Sequence, residues 1–350
     1  MATPEPAAAR SPRRVRSLLF RIGAFSIAAV ALYLLAPSLV EVFSSASLLR
    51  DLSPWAVILM VLFEVLSFIA AWAAFRVALP QAGWFVTATS QLTSNAISRV
   101  IPGGAVTGGA TQFAMLNKAG IDATAAGAAL TANSLIATGA LLALPILALP
   151  AALSGAEIPD TLASGAIVGA FAFVVLAIIF VVLTVFDRPL LIVGGWLTAI
   201  RRRIAPNTGG PGLGEQFVTR RNEVRTELGS RWRSAVLTSV ANWVFDYLAL
   251  LAAVVAVGSD APPSLVLLAY CAAAVLTMVP ITPGGLGFVE AGLTATLAAA
   301  GVPTQEALLA TLTYRLVSYW LPLPAGLVAY QLFRSRYGPD PDNPAEQPAP

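Results

Sequence analysis

Histidine is absent from the 350 residues, and cysteine occurs once, as Cys271 inside an apolar run. A serine–histidine triad, a histidine metal site and a disulfide framework are thereby excluded. Charge is scarce too: 11% of residues are charged against 57% hydrophobic, and the mean hydropathy is +0.77. A soluble chain of this length would form two or three domains with about a quarter of its residues charged. The composition excludes that class and indicates a polytopic membrane protein. No enzymatic activity, cofactor, metal or nucleic-acid partner is expected. What is present is arginine: Lys118 is the one lysine among 21 basic residues, and the arginines cluster outside the apolar runs. Their placement matters more than the net charge of +3.

A hydrocarbon core of about 30 Å needs roughly 20 apolar helical residues. Six stretches qualify: Leu18–Ala36, Pro54–Leu79, Ala123–Leu149, Gly165–Phe186, Ser234–Val257 and Glu306–Phe333. The first follows Arg10, Arg13, Arg14 and Arg16 without a small-residue cleavage site and is expected as a retained anchor. Two further regions, Val86–Ala119 and Ser264–Ala300, are each broken in the middle by Pro-Gly-Gly. Their halves, at about 15 residues or roughly 22 to 24 Å, are too short to cross alone. Re-entrant helical hairpins fit better, with tips tolerated because they are packed in protein or line a cavity.

With the N-terminus in the cytoplasm and each hairpin returning to its own side, the loop carrying Arg201, Arg202, Arg203, Arg220, Arg221, Arg225, Arg231 and Arg233 falls inside. So do the C-terminal Arg334 and Arg336. The expectation is an all-α polytopic membrane protein of about six full spans plus two re-entrant hairpins, in the cell membrane with both termini cytoplasmic. A disordered basic segment covers residues 1–17, the membrane domain covers 18–334 with a basic cytoplasmic loop at 187–233, and a disordered tail covers 335–350. Within the loop, Arg188–Ile204 and Glu215–Trp232 have the pattern of amphipathic helices lying against anionic head groups.

Shifting the sequence by 181 residues superposes Pro102-Gly103-Gly104 on Pro283-Gly284-Gly285, and without a gap Ala119-Gly120-Ile121 on Ala300-Gly301-Val302. Three full spans separate the two units, and an odd number inverts the second relative to the first. Inverted repeats place a substrate site near the midplane between related halves.

A charge at mid-bilayer costs roughly 2.5–3.5 kcal/mol on insertion scales, so each buried ionisable residue needs a partner or a purpose. Glu64 and Asp246 fall inside spans, Arg99 precedes the first Pro-Gly-Gly, Glu290 follows the second, and Arg315 lies in the last span beside Tyr314. Arg99, Glu290 and Arg315 should meet where the hairpins meet. A guanidinium fork matches phosphate oxygens, and a helix N-terminus after each Pro-Gly-Gly supplies N–H groups, so the site suits an anionic phosphate head group. The candidate substrate-binding residues are Arg99, Pro102, Gly103, Gly104, Pro283, Gly284, Gly285, Glu290, Tyr314 and Arg315. The same residues also fit a packing role, with a buried Glu–Arg pair fixing helices and Pro-Gly-Gly marking tight turns. For Glu64 and Asp246 that plainer reading has Trp243 or Asn242 as the satisfying neighbour. Gly284–Gly287 lacks a following Gly-Lys-Ser/Thr, so no ATP site is visible.

The run from Val279 to Glu290, with Pro283, Gly284, Gly285 and Gly287, followed by Gly301, Glu306-Ala307 and Tyr314-Arg315, resembles the lysylphosphatidylglycerol synthase transmembrane-region family, also called flippase-like domain proteins. Pro102, Gly103, Gly104 and Gly120 look like its looser first-half motif. The resemblance covers roughly Leu18–Phe333 and implies an integral domain that moves an aminoacylated phospholipid between leaflets. With about 17 residues after the last span, the separate aminoacyl-transferring domain of the best-known relatives is not expected here. Gln112 and Ala110 stand where many relatives carry a charged pair, which counts against a cationic lipid as cargo.

The leading expectation is a lipid translocator moving a phospholipid or another lipid-linked anionic head group, with membrane lipid as its partner. The alternatives are a non-transporting membrane scaffold for an envelope glycosyltransferase or lipid-modifying enzyme, docked on the basic loop, and a small-solute or ion transporter.

Overall fold

A computed structural model describes residues 52–101, 104–144, 185–204, 213–277 and 285–338, with short helical pieces between 174 and 182. Among the described residues there are eleven α-helices and no strand. They are α1 (Pro54–Ala78), α2 (Trp84–Val100), α3 (Gly104–Lys118), α4 (Ala123–Ala143), α5 (Asp187–Ile204), α6 (Leu213–Leu228), α7 (Trp232–Ala256), α8 (Pro263–Thr277), α9 (Phe288–Ala299), α10 (Thr304–Arg315) and α11 (Pro322–Tyr337). Three stretches, α1, α7 and the continuous run Thr304–Tyr337, are long and apolar enough to cross a membrane. The span expected at Leu18–Ala36, most of that at Gly165–Phe186, and the end of Ala123–Leu149 lie outside the described residues.

The outer surface has the polarity of a bilayer solute. On α1, Trp55, Ile58, Val61, Leu62, Val65 and Ile69 are exposed while Glu64 and Ser67 are buried. A soluble helix has the reverse pattern, because water rewards polar residues outside and apolar ones inside. In a membrane the lipid accepts the apolar face and the bundle must satisfy the polar one.

Helices α1 and α7 lie side by side and antiparallel. Ser53 N donates to Ala256 O at 3.1 Å, Phe63 stacks on Phe245, and the Asn242 amide donates to Ser67 Oγ at 2.8 Å, so positions rising along α1 meet positions falling along α7. One apolar core lies toward the N-terminal end of α1 and takes in Met60, Leu250, Val254, Val266, Leu293, Leu297 and Ala307. A second lies toward its other end, with Phe75, Leu79, Leu116, Ala129, Ala235 and Phe333. The first core holds α8 and α9; the second holds α2 and α3.

Each Pro-Gly-Gly region is a pair of antiparallel helices. In the first, a Cβ placed on Gly104 would meet Ser98 O at 1.9 Å, and one on Gly108 would meet Ser94 O at 2.6 Å, so α2 and α3 touch along a small-residue seam that only glycine permits. In the second, the Thr296 hydroxyl donates to Ala269 O at 3.4 Å, and Gly292 faces Leu276. The exits of α3 and α9 share one hydrogen-bond pattern at the offset of 181. Ile121 N donates to Leu116 O and Gly120 N to Asn117 O; Val302 N donates to Leu297 O and Gly301 N to Ala298 O. Both are Schellman caps, and Gly120 and Gly301 occupy the left-handed position at φ 85° and 94°.

Two expectations need correction. Glu306–Phe333 is not one regular helix: α10 passes into a π turn at Leu316–Trp320 before α11 begins at Pro322. Residues 335–337, expected as the start of a tail, are helical: α11 runs to Tyr337 and stops at Gly338, φ 78°, and the rest of the expected tail lies outside the described residues. In the basic loop α5 and α6 form near the expected limits and are joined by an Arg221–Asp187 ion pair.

Gly326 lets α11 lie directly on α2: a Cβ there would stand 2.6 Å from Leu92 O and 2.5 Å from the Ala96 Cβ. Gly326→Ala should therefore destabilise the protein by about 1–3 kcal/mol, as overpacking does. A thermal unfolding midpoint in detergent equal to that of the parent would disprove this close contact.

Candidate functional site

Between the two apolar cores lies a polar cluster to which six helices contribute. Its first part is an ion pair: Arg315 Nε donates to Glu290 Oε1 at 2.8 Å, with both residues only 8% exposed. Glu290 sits in the first turn of α9, where the helix dipole favours a carboxylate, and Arg315 in the last turn of α10, where it favours a cation. Gly287, at φ 75°, turns the chain into α9. Glu290 Oε2 is buried without a hydrogen-bond partner.

The second part is Arg99, in the last turn of α2. Its Nη1 donates to Ser318 O and Tyr319 O, both at 2.7 Å. The sequence of the last span explains why the Ser318 carbonyl accepts. Pro322 has no N–H to give to Ser318 four residues back, and its ring crowds that carbonyl. The chain responds with the π turn, in which Leu321 N reaches back to Leu316 O at 3.0 Å. Pro324 removes another donor. Arg99 supplies a charge-assisted replacement from a different helix.

Tyr319 ties the two arginines together. The Arg315 guanidinium lies 4.2 Å from the ring centroid and that of Arg99 5.0 Å, while the Tyr319 hydroxyl donates to Arg99 O at 3.1 Å. Two cations sharing one aromatic ring repel each other and are held by cation–π attraction and fixed carbonyls. Nη1 makes both of the Arg99 bonds, which leaves the Nε and Nη2 edge of its fork for a ligand.

The third part is acidic. Asp246 on α7 accepts from the Tyr270 hydroxyl at 2.5 Å and the Tyr314 hydroxyl at 2.9 Å. Glu64, on α1 and 5% exposed, lies at the α1–α7 seam, where the Phe63–Phe245 stack and the Asn242–Ser67 bond place it opposite Asp246. The neighbours expected to satisfy these acids are engaged elsewhere: Trp243 Nε1 donates to Ala137 O at 3.0 Å, and Asn242 to Ser67.

The structure thus brings Arg99, Glu290 and Arg315 together as the sequence suggests. Tyr314 belongs to the same cluster but turns to Asp246. Gly104 packs helix on helix, and Gly285 holds φ 73° against Val289. Pro102, Gly103, Pro283 and Gly284 lie outside the described residues. Sequence reasoning misses Tyr319 and Tyr270, whose only signal is helical spacing, and the carbonyls of Ser318 and Tyr319, which the Leu-Pro-Leu-Pro run at 321–324 could have revealed. Among the described residues no group of three or more acidic, cysteine or histidine side chains could hold a metal ion.

The sequence model of the family described as "Lysylphosphatidylglycerol synthase TM region" matches residues 21–326. The chain is also similar to a "UPF0104 membrane protein" of Methanothermobacter thermautotrophicus, 31% identical over 91 residues. That match spans 26% of this chain and about a quarter, 26%, of the relative's length.

Proposed function

The chain belongs to the lysylphosphatidylglycerol synthase transmembrane-region family and is an integral membrane protein, and from that premise we propose that it is a lipid translocator rather than an enzyme. It passes a phospholipid or another lipid-linked anionic head group between leaflets. The observation that carries this reading is the pair of guanidinium groups on the shared Tyr319 ring, one buried and one half-buried, between two apolar cores of a lipid-facing bundle. Such a site offers a phosphate a bidentate fork and a second cation, and offers acyl chains nothing. The head group would enter the cluster while its tails stay in the bilayer.

An inverted repeat in the cell membrane, with six spans, two re-entrant hairpins and cytoplasmic termini, gives that site access to both leaflets in turn. Three features support it. The Schellman caps after α3 and α9 repeat at the offset of 181, as do the starts of the following helices, where Ala126 N bonds Asp122 O and Ala307 N bonds Pro303 O. The equivalent 25-residue helices α1 and α7 run antiparallel. Each core also holds one hairpin, with the polar cluster at the seam.

Leaflet exchange of fluorescent phosphatidylglycerol in proteoliposomes tests the proposal. Arg99→Lys keeps the charge but cannot bridge two carbonyls and present a fork, so exchange should fall about 10- to 100-fold, the equivalent of one lost charge-assisted contact. Lys118→Ala, at the end of α3, should change nothing. Equal exchange by parent and Arg99→Lys, or none above empty vesicles, would remove the assignment.

A further inference from the structure

We propose that Glu64 and Asp246 form a proton-binding carboxyl pair that holds one proton at rest and takes up a second when an anionic head group enters the site. The resident proton rests on structure alone; the second step rests on the lipid reading above.

Two carboxylates are acceptors only, yet the Phe63–Phe245 stack and the Asn242–Ser67 bond set a register that places Glu64 opposite Asp246 across the α1–α7 seam. Neither oxygen can donate unless a proton lies between them. Glu64 is 5% exposed and its Oε2 is buried without a hydrogen-bond partner. Asp246 already accepts from Tyr270 and Tyr314, whereas Glu64 Oε2 has no hydrogen-bond partner, which leaves Glu64 as the proton carrier. Like charges this close inside a membrane cannot both persist.

The surrounding helices supply the remaining charges. From α2 comes Arg99, held on the Ser318 and Tyr319 carbonyls; from α8 and α10 come the hydroxyls of Tyr270 and Tyr314; α4, packed on both α1 and α7, has no titratable residue. Arg315, next to Tyr314, is paired with Glu290. With one proton on the dyad, Arg99 and Arg315 are balanced by Glu290 and one remaining acidic charge. Entry of a phosphate with one negative charge upsets that balance, and protonating the second carboxyl restores it. The proton comes from water on the side where the lipid enters and returns to water where it leaves; no covalent bond of the lipid changes.

Infrared difference spectra of the full chain in nanodiscs test the resident proton without any cargo. At neutral pH the parent should show the carbonyl stretch of a protonated carboxyl that shifts on exchange into deuterium oxide, and Glu64→Gln should abolish it. If that variant does not fold, Asp246→Asn should displace the same band by replacing the partner oxygen. A parent without the band, a band untouched by either change, or a spectral response to sodium in place of protons would overturn the pair. The coupling is read separately. In proteoliposomes carrying a pH gradient, one proton per lipid shifts the steady leaflet distribution of phosphatidylglycerol about tenfold per pH unit, and Glu64→Gln loses that dependence. Exchange indifferent to the gradient overturns the coupling. Absence of exchange sinks the translocator reading and leaves the infrared result standing.

Discussion

Glu290→Ala should lower the stability of the folded chain by about 3–5 kcal/mol, the usual result of taking one partner from a buried ion pair. Arg315 is 8% exposed and would keep its charge in the bundle interior after losing its carboxylate. The desolvation that Glu290 now offsets would then lose its opposite charge. The stacking of Arg315 on Tyr319 cannot make up the difference, because the ring already serves Arg99. Removing both charges together, as Glu290→Gln with Arg315→Gln, should recover most of the loss, since two neutral amides of similar length can bond each other. Reversible unfolding in mixed micelles of the parent, Glu290→Gln, Arg315→Gln and the double variant gives the four stabilities of this cycle. If the single losses simply add in the double variant, the two residues are not coupled and the cluster is not organised around them.

The double variant also separates stability from transport. It should fold, and it should fail to exchange lipid, because Arg315 supplies one of the two cations on the Tyr319 ring. A double variant as active as the parent would assign the pair to packing alone.

Much of this fold is legible in the sequence because the bilayer imposes lengths. Pro54 and the apolar run after it set α1, and the spacing from Pro-Gly-Gly to Gly120 and Gly301 sets where α3 and α9 end, since a left-handed turn there requires glycine. The meeting of Arg99, Glu290 and Arg315 is legible for a similar reason: charges inside a membrane must find one another or a ligand, and few are present. What is not legible depends on rotation about helix axes and on backbone defects. Glu64 and Asp246 each look like isolated acids along the chain. Their pairing appears only once Asn242 and Ser67 fix the register of α7 on α1. The π turn is hidden because hydropathy counts Leu-Pro-Leu-Pro as apolar, although two missing N–H groups change which carbonyls are available.

That defect leads to the second large effect. Pro322→Ala returns an N–H to the position four residues after Ser318, so the last span can close as regular α-helix and reclaim the carbonyl that Arg99 now holds. Proline in a helix interior costs about 3 kcal/mol relative to alanine. Arg99 donates to Ser318 O and Tyr319 O at 2.7 Å each and recovers part of that cost, so the net gain in stability should be about 1–2 kcal/mol. Lipid exchange should move the other way. Without the π turn, Tyr319 rotates away from its place between the two guanidinium groups, and Arg99 loses the carbonyls that fix its fork. A fall of about 10-fold or more in exchange, accompanied by a higher unfolding midpoint, is the expected pattern. The opposite pairing, with lower stability and unchanged exchange, would mean that the proline merely accommodates the bend and that the π turn has no part in positioning Arg99. The two measurements together decide whether the irregular turn exists for packing or for presenting charge, and the placement of Arg99 on the Ser318 carbonyl, which Pro322 leaves without its helical donor, favours the second.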